Sequence, residues 1–234
     1  MSATGKRVTL SFDNGPFEDV TPGVLDTLAA RDLRASFFVC GRDLRDPRRR
    51  ALVERARDAG HRIGNHTLTH TVELGATENP DAPQREIGDA QELLGTLAAP
   101  ERWFRPYGGG GVLGPRLLSR SAIDYLCAGG YSCVLWNSVP RDWEDPEGWP
   151  ARALADVARL DWTLVVLHDV PTGAMRSLSR FLDELDERRI AVVPEFPPAC
   201  VPIRSGTVAL PLDGLFVGDA VKGAVERVTS RRRW

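Results

Sequence analysis

Strand-like and helix-like segments alternate strictly along most of this chain, and that rhythm constrains the fold more than any other feature. Short runs rich in apolar and β-branched residues stand at 7–12 (RVTLSF), 35–39 (ASFFV), 61–65, 102–105, 131–136, 162–167 (WTLVVL) and 190–193. Between them, helical spacing marks 24–31, 48–58, 85–97, 117–128, 150–160 and 178–188. A strand followed by a helix and another strand is the signature of parallel pairing, because a parallel partner can only be reached by a crossover. Seven such strands leave two architectures open, a doubly wound sheet and a closed barrel. No shift in composition divides the chain before the Pro-rich stretch 196–202, so residues 1–200 are expected to form one α/β domain. Residues 201–234 are set apart as a C-terminal extension, weakly patterned over 208–229. Its basic end, Arg231-Arg232-Arg233-Trp234, is read as a solvated tail rather than a nucleic-acid patch.

Charge and composition narrow the partners. Lys and Arg number 30 against 32 Asp and Glu, a net charge of −2 that provides no field to attract nucleic acid or an anionic membrane. The longest apolar run, at 164–167, is far short of the ~18 residues a membrane span needs. Asp13, Glu18 and Asp19 arrive before a secretory apolar region could form, so a cytoplasmic location is expected. Cys40, Cys127, Cys133 and Cys200 contain no Cys-x-x-Cys pair, which excludes a zinc ribbon or redox dithiol and leaves four reduced, packed thiols.

The chemistry gathers where strands end. His66-Thr67-Leu68-Thr69-His70 follows the third strand, and an i, i+4 pair aims both rings one way if the segment turns helically, as two metal-ligating nitrogens require. Asp13-Asn14-Gly15-Pro16 ends the first strand. Taken alone it reads as an Asx turn, in which the side chains bond their own backbone. The four glycines 108–111 lack the Lys-Ser/Thr of a phosphate loop and read as a flexible loop. Most tryptophans read as core. Trp143 and Trp149 lie in loops, where packing and sugar stacking both stay open.

Taken together, Asp13-Asn14, His66 to His70, Arg105-Pro106-Tyr107-Gly108, Asp142-Trp143 and Leu167-His168-Asp169 follow one another in chain order, each ending a strand or opening the following loop. This series resembles the polysaccharide deacetylase family (NodB-homology domains, carbohydrate esterase family 4), whose motifs run roughly T-F-D-D-G-P, H-[ST]-x-x-H, R-x-P-[YF], D-x-x-D-W and L-x-H. The similarity spans residues 7–195. It implies a distorted (β/α) barrel, often seven-stranded, and metal-dependent hydrolysis of an N-acetyl amide. Carried over by position, it makes Asp13 the general base, with Asn14, His66 and His70 holding one divalent metal. Zinc is the first expectation for that metal, with cobalt, manganese or nickel as other occupants. Arg105 is then the residue that orients the base, Asp142 the carboxylate that tunes the acid, and His168 the general acid. Tyr107 (through its backbone N–H), Trp143 and Leu167 are expected to contact substrate.

Those roles are chemically coherent. A carboxylate can take a proton from attacking water, and an amide nitrogen leaves poorly unless an acid protonates it. Three departures bear on the assignment. Asn14 replaces a metal-binding Asp and removes one negative charge. The third motif is one residue short, which makes Arg102 a fallback for the orienting arginine. Val139 and Val166 stand where the fourth and fifth motifs have Asp and Leu. The expected substrate is an N-acetylated amino sugar, a glycoconjugate or a small acetamido compound. Two alternatives are a cyclic amide or imide hydrolase on the same scaffold, and a catalytically silent member that binds a ligand.

Overall fold

The computed structural model of the chain describes residues 5–217. In chain order its elements are β1 (Arg7–Asp13), α1 (Thr21–Ala29), β2 (Ser36–Val39), α2 (Pro47–Asp58), β3 (Arg62–Asn65), α3 (Ala90–Leu94), β4 (Trp103–Phe104), β5 (Leu118–Ser119), α4 (Arg120–Ala128), β6 (Ser132–Cys133), α5 (Trp149–Arg159), β7 (Trp162–His168), α6 (Leu178–Glu187), β8 (Ala191–Val192), β9 (Ile203–Arg204), β10 (Thr207–Val208) and β11 (Phe216–Val217). All seven expected strands are present, and every pairing among them is parallel.

The sheet runs β10-β9-β6-β4-β3-β2-β1-β7. Past β6 the chain returns to the far end of that order, where Ser138 bridges Val165 of β7. One bridge thus closes the sheet on itself, and the result is a distorted (β/α) barrel. The seventh strand, β8, is shorter than a full stave. It pairs only with Arg7 and Val8 at the foot of β1, below the stretch Ser11–Asp13 that β2 occupies.

Strand alternation sorts the side chains into two layers. Val8, Leu10 and Phe12 of β1 face outward onto the helices, in a core that includes Leu28, Trp149 and Phe181. The barrel interior is filled by Phe38, Trp103, Val134, Leu164 and Phe196. Both faces of β1 are buried, which is why it reads as a near-continuous apolar run. Helix starts follow local chemistry: Asp46 accepts from Arg48 N–H ahead of Pro47, and Ser119 caps α4 by accepting from Ala122 N–H. That cap moves the start of the helix expected over 117–128 to Arg120. The helix expected over 85–97 begins instead as a π turn, Gln84–Asp89, runs into α3 and ends in the 3₁₀ turn Gly95–Leu97.

The chain continues in the sheet beyond residue 200. β9 adds antiparallel to β6 and turns into β10 through Ser205-Gly206, both with positive φ as a two-residue hairpin needs, while β11 pairs with β5. These strands are two residues long, too short for alternation to be read in a sequence. The basic end at 231–234 and most of the 208–229 stretch lie outside the described residues. Among the described residues no helix is long and apolar enough to cross a membrane, and the four cysteines are unpaired.

Candidate active site

The β1–β7 register sets Asp13 directly opposite His168 at the C-terminal mouth of the barrel. Alternation points Ser11 and Asp13 inward. From the far wall, just past β4, Arg105 reaches across the barrel with no exposed surface. Its Nη1 donates to Asp13 Oδ1 at 2.7 Å and to Ser11 Oγ at 2.9 Å, its Nε donates to the Val134 carbonyl at 3.3 Å, and the guanidinium lies 4.0 Å over the Phe38 ring. Burial alone would push the Asp13 carboxyl up. Arg105 first, then His66 and His168, overcome that and hold it below the usual carboxylate range. Arg102, the fallback, stacks on Tyr131 and donates to the Gly129 carbonyl, away from the cleft.

The histidine pair converges by a route other than the expected helical turn. Residues 66–70 form an irregular loop in which Thr67 (φ 66°) and His70 (φ 55°) are left-handed. The two rings stand 4.8 Å apart, and His70 meets the Tyr107 ring edge-on at 4.4 Å. His66 Nδ1 lies 2.9 Å from the Arg105 carbonyl, so in the neutral ring Nδ1 carries the proton and Nε2, 3.5 Å from Asp13 Oδ2, keeps its lone pair. Burial pushes both imidazoles down, His70 to about 3, and both are neutral at physiological pH. Asn14 lines the same cleft in a left-handed conformation (φ 72°) that Asn tolerates, with its Oδ1 4.0 Å from Cys40 Sγ.

These donors fit a divalent metal. Two neutral imidazoles, one of them fixed by a backbone carbonyl, and an amide oxygen form a workable ligand set beside an ionised carboxylate. Among the described residues no three His, Cys, Asp or Glu side chains form such a group, and Asn14 is the amide donor that lines the cleft beside the two histidines.

On the other side, His168 Nδ1 pairs with Asp142 Oδ1 at 2.8 Å, and the His168 backbone N–H donates to Asp142 Oδ2 at 2.9 Å. Burial would depress this imidazole. The hydrogen bond and the charge of the fully buried Asp142 outweigh burial and raise it above the ordinary histidine value. Trp143 stands edge-on to the ring at 4.8 Å.

A cleft of about 240 Å³ joins both halves. Tyr107, Trp143 and His168 line it as expected, and so do Trp136, Val139 and Val166. Leu167 does not. It is fully buried against the outer helix layer, since alternation gives the cleft to Val166 and His168 and the helices to Leu167. Trp149 is likewise core, its Nε1 donating to the Ala174 carbonyl. The Tyr107 backbone N–H makes no hydrogen bond among the described residues.

Two supporting residues, Ser11 and Glu86, escaped the sequence reading, and Asp169 stood in it beside His168 without a role. Ser11 was findable two positions before Asp13 on the same strand face. Glu86 carried no local signal. Asp169 Oδ2 accepts from Thr21 Oγ1 at 2.5 Å, and a Cβ on Gly15 would fall 2.1 Å from its carboxylate. Burial pushes Asp169 up to about 6.

The sequence profile of the family described as polysaccharide deacetylase matches residues 1–118. A chitooligosaccharide deacetylase of Sinorhizobium fredii is 36% identical over 174 residues, covering 72% of this chain and 74% of that one. The peptidoglycan-N-acetylglucosamine deacetylase PgdA of Listeria monocytogenes is 27% identical over 189 residues, 78% of this chain but only 36% of that longer protein. Among solved structures, a family 4 acetyl xylan esterase from Clostridium thermocellum in complex with a cobalt ion superposes with a TM-score of 0.66 at 27% identity, over 81% of this chain and 88% of that one.

Proposed function

The chain belongs to the polysaccharide deacetylase family, and from that premise we propose that it hydrolyses the N-acetyl amide of an acetylated amino sugar with the help of one divalent metal. His66, His70 and Asn14 would hold that metal, which would supply a Lewis acid for the acetyl oxygen and the attacking water.

The remaining work falls to the chain's own side chains. With Oδ1 engaged by Arg105, Asp13 has Oδ2 to take a proton from water as the new C–O bond forms. Arg105 keeps that carboxylate ionised and fixes its rotamer. The Tyr107 N–H donates to the oxygen on this reading as negative charge develops there. As the C–N bond breaks, His168 gives its proton to the departing nitrogen through Nε2, since Asp142 occupies Nδ1. Water is consumed, and acetate and a free amine are the products. Val139, Val166 and Trp136 form an apolar wall suited to the acetyl methyl.

One observation carries this reading: two buried pairs, Arg105–Asp13 and Asp142–His168, present Asp13 and His168 to one cleft that also holds two neutral histidines. The test is acetate release from a short chitooligosaccharide by protein supplied with Zn, Co, Mn or Ni, against chelated protein. Acetate is expected with at least one metal. Asn14 favours a second reading, a silent binder, and chitooligosaccharide binding without turnover under every metal would put that reading first.

A further inference from the structure

Four consecutive backbone N–H groups between the two histidines point away from any ladder, and each has found a side-chain acceptor. Thr67 N–H donates to Asn65 Oδ1 at 2.9 Å, and His70 N–H donates to Thr67 Oγ1 at 3.0 Å. The middle pair, Leu68 N–H and Thr69 N–H, both donate to Oε2 of Glu86, at 3.1 and 3.0 Å, while Thr69 Oγ1 donates to Glu86 Oε1 at 2.9 Å. Asn65 and Thr67 are local to the loop. Glu86 alone comes from another element, and it is only 5% exposed.

Glu86 lies on the π turn Gln84–Asp89, a local widening of the helix that occurs often at functional sites. That turn is fastened to the end of β3 by a second bond, from Asn65 Nδ2 to the Ile87 carbonyl at 2.9 Å. The loop carbonyls are held from the opposite side, Thr67 by Gly41 N–H at 2.9 Å and Leu68 by Arg42 N–H at 3.0 Å. Gly41 has no room for a side chain there, since its Cβ would stand 2.8 Å from Ala90 Cα. The loop is therefore clamped between the segment after β2 and the segment that carries Glu86. A carboxylate in so buried a place is tolerable because three donors meet it.

We propose that Glu86 is a positioning residue for the metal site. By gathering the Leu68 and Thr69 amides it sets the left-handed turn that aims His70 at His66. The inference rests on the reading of these histidines as metal ligands. It assigns Glu86 no contact with metal or substrate, and it makes the affinity for metal depend on a carboxylate in a different element.

The test uses the full chain, Co²⁺ as the probe, and the variants Glu86→Ala and Glu86→Gln. Outer-sphere partners of ligating histidines commonly affect metal affinity by about 10–100-fold, and Glu86→Ala is expected to weaken cobalt binding within that range and change the visible cobalt spectrum. Glu86→Gln keeps one carbonyl oxygen to accept from the amides and should recover part of the loss. In metal-free protein, hydrogen exchange at the Leu68 and Thr69 amides should be slow in wild type and fast in Glu86→Ala. A folded Glu86→Ala that binds cobalt within twofold of wild type, with an unchanged spectrum, would overturn the proposal even if its melting temperature fell. If Glu86→Ala does not fold, Glu86→Gln decides, with affinity equal to wild type counting against. If wild type takes up no cobalt, the metal reading fails by itself. Amide exchange then judges the clamp, and fast exchange at 68 and 69 in wild type would sink it.

Discussion

The base and the acid stand at the ends of β1 and β7, seven-residue strands paired along their whole length, with Asp13 opposite His168. The two histidines follow β3, a four-residue strand, on a loop whose amides from Thr67 to His70 are met by side chains. One half of the cleft is thus built on a backbone ladder and the other on borrowed acceptors. Substitutions on the ladder half should change chemistry while sparing metal binding, and substitutions around the loop should do the reverse.

The sharpest test of that division is Asp13→Asn. The ladder keeps its hydrogen bonds, and the amide oxygen can still accept from Arg105, but no base remains. Turnover should fall by about 10²–10⁴-fold, the usual contribution of a positioned base, while cobalt content stays near wild type. Activity within about tenfold of wild type, ~1.4 kcal/mol of barrier, would place the base elsewhere.

Asp142→Asn comes next and is read through pH. Asp142 is what keeps His168 above the ordinary histidine value against burial, so its removal lowers the value and the acid form disappears at lower pH. The alkaline limb of the rate profile should move toward acid, with amide hydrolysis falling more at pH 8 than at pH 6 and activated aryl acetates, which leave unaided, losing much less. The same pair has a stability signature of fixed sign. A histidine raised in the fold stabilises it fully below the unfolded imidazole value, and that contribution is lost as pH rises through the raised value. An alkaline limb that does not move in Asp142→Asn would mean that another group is the acid.

How much of this was legible in the sequence follows the same division. The ladder half was readable because β1 and β7 are long enough to show a pattern, and because Asp13 and His168 close them. Where the reading slipped there, as at Leu167, it chose the wrong face of a correctly placed strand. On the loop half the residues were named but the mechanism was wrong. His66 and His70 meet through left-handed turns at Thr67 and His70, not through helical spacing, and no periodicity announces such a turn. Glu86 was invisible because its partners lie 17 and 18 positions away along the chain, across an irregular segment. The two-residue strands β9 to β11 were missed for want of length.

On the proposed metal reading Asn14 goes with the loop half, although it follows β1. Asn14→Asp should restore a negative charge beside the histidines and tighten cobalt binding about tenfold, ~1.4 kcal/mol, by direct attraction. Binding unchanged or weaker on titration would show that this side chain does not reach the metal.

The smallest effect expected is on stability, at the end of the ladder. Asp169 is raised to about 6 because burial disfavours its charge; Thr21 Oγ1 donates to its Oδ2, and among the described residues Oδ1 has no hydrogen-bond partner. An acid raised in the fold binds its proton more tightly there than in the unfolded chain. Stability therefore declines as pH rises from the unfolded carboxylate range through 6, and it stays lower above. An asparagine in its place is nearly the same size, which matters because Gly15 leaves no spare room, and it has no proton to lose. Asp169→Asn should then gain ~1 kcal/mol over wild type at pH 8 and nothing at pH 4, read from denaturant midpoints at the two pH values. Equal gains at both would point to better packing instead of charge, and a loss at pH 8 would mean that the ionised carboxylate has a partner the fold depends on. Cobalt affinity should not follow the change, because Asp169 steadies the ladder end and makes no contact with the histidine loop.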